Sequence, residues 1–194
     1  MQKCFLFAIF LACASAHADI VQTNVNGCYA TWYWRPLGQS FTASASESQV
    51  RVVSVQIQVF NQHLADPIIA LQVREGVGHT GAVLGSQTSP VIPIHDVSPI
   101  WVDFEFASPL TLTPGQQYTL SFTATNADDT AGGYSHSTYN PYSGGAVIEG
   151  DGLLVPQDDL AFRVLSVPEP TSFALCAFIG VTLLLCCRRY LPRH

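Results

Sequence analysis

The sequence predicts an all-β fold: a two-sheet antiparallel β-sandwich, jelly-roll-like, flanked by an N-terminal signal peptide and a C-terminal transmembrane helix. Three observations predict it. Apolar and polar residues alternate with period two through the middle of the chain, with no helical periodicity competing. Glycine and proline clusters cut the alternating runs into short pieces. The hydrophobic surplus, 48% against 11% charged, is concentrated at the two ends, whereas an ordinary soluble protein carries about 25% charged residues. The 194 residues therefore divide into a signal peptide (1–18), a body (19–166) and a tail (167–194).

Within the body the strands follow in order. Val53, Val55, Ile57 and Val59 alternate with Ser54, Gln56 and Gln58. Ile69, Leu71 and Val73 alternate with Ala70, Gln72 and Arg74. Ile100, Val102, Phe104 and Phe106 oppose Trp101, Asp103 and Glu105, and Tyr118, Leu120, Phe122 and Ala124 oppose Thr119, Ser121 and Thr123. Leu160, Phe162 and Val164 close the series against Ala161, Arg163 and Leu165. Each run sets an apolar row on one face and a mostly polar row on the other, as in antiparallel sheets packed on one side. Weaker strands are expected over Gln39–Ala43, Val83–Gln87 and Ala146–Glu149. Turns are expected at Gly76–Gly81, Ser89-Pro90, Ser98-Pro99, Ser108-Pro109, Thr113-Pro114-Gly115 and Gly144-Gly145. About eight short strands in roughly 150 residues suit a two-sheet sandwich, and a core of that size holds without disulfides.

The front end reads Met-Gln-Lys, an apolar run from Cys4 to Ala14, then Ser15-Ala16-His17-Ala18. A basic start, an apolar core and small residues at −3 and −1 are the parts of a secretory signal. Ala16 and Ala18 supply the small pair, so cleavage is expected before Asp19. The alternative is a lipoprotein signal acylated at Cys13, although Phe10 stands where leucine is usual in such signals. At the other end, Val167-Pro168-Glu169-Pro170 precedes an uncharged run from Thr171 to Cys187, then Arg188-Arg189. A helix over 171–187 spans roughly 25 Å at 1.5 Å per residue, close to the lower limit for crossing a bilayer. The arginines behind it stay cytoplasmic by the positive-inside rule. Pro168 and Pro170 hold Val167 and Glu169 out of helix, leaving a stiff extended peptide above the membrane.

This order of Pro-Glu-Pro, short apolar helix and basic end resembles the PEP-CTERM sorting signal of bacterial exported proteins. The resemblance rests on Pro168, Glu169, Pro170, Arg188 and Arg189. It implies recognition by exosortase, an integral-membrane cysteine peptidase, with the protein first anchored in the cytoplasmic membrane and then delivered to the cell surface or extracellular matrix. Tyr190 to His194 extend past the double arginine, where family members often stop sooner. An ordinary C-terminal anchor is the alternative. Three body segments, Gln39-Ser40-Phe41-Thr42-Ala43, Leu110-Thr111-Leu112-Thr113-Pro114-Gly115-Gln116-Gln117-Tyr118 and Asp158-Asp159-Leu160-Ala161-Phe162-Arg163, are similar to the β-sandwich bodies of anchored bacterial surface proteins; they are turn-and-strand signatures and bear on fold more than on activity.

Charge and motifs narrow the function. Between Asp19 and Val167 stand four basic residues, thirteen acidic ones and no lysine, net −9, which offers no footprint to a phosphate backbone and excludes nucleic acid. His63, His79, His95 and His136 share no metal-ligand spacing. Cys28 is the single cysteine of the body, so no disulfide forms within it. Gly133-Tyr134-Ser135-His136-Ser137 departs from a nucleophile elbow at its fifth position and reads as a polar loop. Asp103 and Glu105 project together from one strand face but are equally well explained as solvated residues. No catalytic residue, cofactor or metal ligand is assigned. Asp128-Asp129, Asp151 and Asp158-Asp159 offer oxygens of the kind calcium prefers, but their spacing fits no EF-hand and calcium is not predicted. Tyr134, Tyr139 and Tyr142 form a candidate sugar-stacking platform on an exposed loop. The expected function is that of a non-enzymatic surface or matrix protein associated with exopolysaccharide. The alternatives are a lectin-like module with a defined sugar site, a membrane-anchored sandwich without one, and a hydrolase whose residues are scattered.

Overall fold

A computed structural model of the protein describes residues 20–29, 36–44, 48–59, 68–92, 98–125 and 132–166. The signal segment with Ala16 and Ala18, the tail with Pro168, Glu169, Pro170, Arg188 and Arg189, and the Asp128-Asp129 pair lie outside these residues. The described residues are all-β, with thirteen strands and no helix. The strands are β1 (Ile20–Gln22), β2 (Gly27–Tyr29), β3 (Leu37–Thr42), β4 (Gln49–Val59), β5 (Ile69–Glu75), β6 (Val83–Thr88) and β7 (Ile100–Thr111). They continue as β8 (Gln117–Ala124), β9 (Gly132–Ser137), β10 (Val147–Ile148), β11 (Leu154–Val155), β12 (Asp159–Leu160) and β13 (Phe162–Ser166).

Two antiparallel sheets result. The first has seven strands organised around β4, which pairs β7 along one edge and both β13 and β9 along the other. β1 flanks β13 and β2 flanks β9. Ala161 links β12 to β13: its N–H donates to Ser135 O at 2.8 Å, and its carbonyl accepts from Gln56 N at 2.9 Å. The second sheet runs β11-β10-β3-β8-β5-β6.

The alternating apolar rows meet between the sheets. Val53, Val55 and Ile57 of β4 are fully buried, as are Ile69 and Leu71 of β5 and Leu120 and Phe122 of β8. Phe122 lies 6.1 Å from Phe104 of β7 and 5.7 Å from Tyr134 of β9, so rings from the two sheets interleave. Burying each such side chain stabilises the fold by about 1.5–3 kcal/mol. One side of the sandwich closes where β6 approaches β7. There Gly85 makes room for β7: a Cβ would stand 2.7 Å from Leu110 Cδ2 and 3.1 Å from Phe106 Cε1, so any side chain would push the Leu110 side chain aside.

All five alternating runs of the sequence are strands. The weaker expectations over Gln39–Ala43 and Val83–Gln87 appear as β3 and β6, while Ala146–Glu149 contracts to the two residues of β10. The expected polar loop at Gly133–Ser137 is corrected: these residues belong to β9, an interior strand paired with β2, β4 and β12. Small side chains let both faces of β9 be covered, so Ser135 and Ser137 are buried with no apolar row to announce them.

Candidate functional site

Two of the three body motifs that stand out in the sequence meet at a structural joint, and the third packs against the first. Gln39 and Asp159 are both fully buried, one on β3 and the other on β12, so their contact ties the two sheets together. Gln39 Nε2 donates to Asp159 Oδ1 at 2.9 Å and to Ser40 O at 3.0 Å, while Gln39 Oε1 accepts from Leu160 N at 2.8 Å. Asp159 Oδ2 accepts from Tyr142 N at 2.9 Å. Burial pushes the Asp159 carboxyl up to about 6; the Tyr142 and Gln39 donors oppose the shift, and the Asp158 charge adds to it. The middle motif turns at Pro114-Gly115, where Gly115 takes φ 79°, a conformation glycine adopts without the steric penalty of a Cβ. Tyr118 Oη accepts from Thr113 N at 2.7 Å and its ring packs 5.8 Å from Phe41. Beside that turn lies a polar cleft of about 500 Å³, lined by Glu75, Gly76, Thr113, Gly115, Gln116, Gln117 and Tyr118.

The candidate tyrosine platform is not assembled. Tyr134 is 2% exposed and packs in the core, because the alternation of β9 turns its ring inward against Phe122. Tyr142 is half-buried, its ring edge-on to Phe162 at 5.4 Å and its Oη accepting from Thr42 N at 3.2 Å. Tyr139 alone of the three stands open, 81% exposed, just before Asn140, which takes φ 43°.

The other titratable groups are distributed rather than gathered, and no group of three or more His, Cys, Asp or Glu side chains fit for a metal occurs among the described residues. His79 reaches from the β5–β6 loop across the outside of the second sheet. Its Nε2 lies 3.1 Å from Glu149 O, which can only accept, so this nitrogen carries the proton; Nδ1, 3.0 Å from Ser121 Oγ, then accepts from the hydroxyl. Burial lowers the His79 pKa, which favours that neutral form. Burial also lowers His136, with Asp158 acting in the opposite sense. Cys28 is half-buried on β2 and its thiol is pushed up to about 11 by burial. Asp103 and Glu105 are exposed on β7, and Glu105 pairs with Arg51 at 3.0 Å. Asp151 Oδ1 accepts from Leu153 N at 2.9 Å, a local turn bond.

One cluster escaped the sequence reading. On the outward face of the first sheet, the Arg163 guanidinium of β13 stacks 3.8 Å from the ring centroid of Trp101 on β7. Cross-strand register sets Ser54 of β4 between Arg163 and Asp103, and Gln56 beside Trp101. Ser54 is 1% exposed although its strand face points outward. Ser54 Oγ and Gln56 Oε1 are buried and have no hydrogen-bond partner among the described residues. The period-two pattern did put all five residues on polar rows, but which rows become neighbours is decided by strand order. No protein-family model matches this chain, and no curated protein matches it in sequence.

Proposed function

We propose that this chain is an exported, non-enzymatic surface or extracellular-matrix protein delivered through a PEP-CTERM-like tail and associated with exopolysaccharide. Its body is a jelly-roll-like sandwich. An exosortase-type peptidase processes the tail after the C-terminal helix has held the protein in the cytoplasmic membrane. The observation that carries this reading is the order of the tail itself: Pro168-Glu169-Pro170, an uncharged run to Cys187, and Arg188-Arg189. A proline-bracketed extended peptide is the shape a peptidase binds as a strand.

The test is mass spectrometry of the mature protein from its native host, compared with the Pro168→Ala/Pro170→Ala double variant. The expected wild-type protein begins at Asp19 and lacks the apolar tail, while the variant keeps the tail and stays in the membrane fraction. Equal processing of the two forms refutes the role of the motif.

A further inference from the structure

The geometry points to a binding site for a uronic-acid-containing saccharide on the outward face of the seven-stranded sheet, its carboxylate on Arg163 beside Trp101 and its hydroxyls on Asp103, Ser54 and Gln56. This inference deepens the polysaccharide part of the reading above and is independent of the tail.

Arg163 is one of four cations in a body of net charge −9. Its guanidinium is half-buried and stacked on an indole, with no ion pair or hydrogen bond to any described residue. A stacked guanidinium keeps its in-plane N–H donors available, and their fork matches a carboxylate in two parallel bonds.

What lies around the fork selects among carboxylates. Asp103 is an exposed acceptor in the same cross-strand row, unsuited to a simple anion but matched to the hydroxyls of a sugar. Ser54 Oγ and Gln56 Oε1 lie buried and unpartnered on β4, over which the Arg163–Trp101 contact extends. Leaving such atoms unpaired carries a desolvation cost. A saccharide that draws the guanidinium off the ring uncovers both atoms and supplies hydroxyl partners for them. A ligand with one carboxylate and several hydroxyls on a compact ring meets every one of these conditions.

The experiment is calorimetric titration of the full-length protein in detergent micelles with trigalacturonate, its methyl ester and succinate. Trigalacturonate is expected to bind at least about tenfold more tightly than either the ester, which lacks the charge, or succinate, which lacks the hydroxyls. Arg163→Gln should weaken trigalacturonate binding by at least tenfold, and Arg163→Lys, a point charge without the fork, should restore it only in part. Asp103→Asn, an exposed position that does not threaten folding, should weaken acid and ester alike. The proposal is overturned by an absence of trigalacturonate binding, by equal binding of acid and ester, by equal binding of succinate, or by wild-type affinity in both Arg163→Gln and Asp103→Asn. Any of these results leaves the tail-processing experiment intact, and a failure of that experiment leaves these titrations to be read on their own.

Discussion

Replacing Asp159 by asparagine should change how the stability of this protein responds to pH. The carboxyl is fully buried at the joint between the sheets, and its pKa is raised from 3.8 to about 6, with burial as the main cause. The folded state therefore holds this proton more tightly than the unfolded chain does. That contribution is fully present below the unfolded value and is lost as the pH rises through the folded one. About two pKa units at 1.36 kcal/mol each give a loss of about 3 kcal/mol between pH 4 and pH 7. Asparagine cannot ionise, but it presents one acceptor where Asp159 presents two, so it must lose the bond from either Gln39 or Tyr142. Gln39 cannot flip to compensate, because Leu160 N–H already holds its Oε1. The lost bond costs about 1–3 kcal/mol at every pH. Urea unfolding of both proteins at pH 4, 5, 6 and 7.5 gives the difference, in which the shared histidine titrations largely cancel. The variant should be clearly less stable at pH 4 and gain about 3 kcal/mol on wild type by pH 7.5. A difference that stays constant with pH, or moves the other way, refutes the raised carboxyl.

Two further outcomes follow from burial. Tyr134→Ala should lose about 3–5 kcal/mol of stability as an emptied core site, while Tyr139→Ala should change stability by less than about 0.5 kcal/mol; denaturant midpoints of the two variants decide it, and equal effects would contradict the inward ring of β9. Cys28, with its thiol pushed up from 9.0 to about 11, should react with iodoacetamide at pH 8 about a hundredfold more slowly in the native protein than in urea, since the thiolate is the reacting form. Peptide mass spectrometry reads the rate at that residue, and equal rates would place the thiol in solvent.

Alternation made the long strands legible, since β4, β5, β7 and β8 each carry a full apolar row that ends in the core. The inward Tyr134 was hidden because its neighbours in β9 are glycine, serine and histidine, residues typical of loops. Their burial comes from three partner strands that no local pattern encodes. The Gln39–Asp159 joint was visible as two motifs but not as one object, because the pairing of β3 with β10, and the return of the chain to β12, are matters of topology. The Arg163–Trp101 stack was hidden for the same reason: its members sit on strands separated by β4 in the sheet and far apart in the chain.

The position of β13 bears on how the body withstands pulling. The strand lies in the interior of its sheet, with β4 along one edge and β1 along the other. Freeing the end of that strand therefore requires breaking the ladders to β4 and to β1, not one of them alone. The end of the body that leads into the tail is thus fastened on two sides.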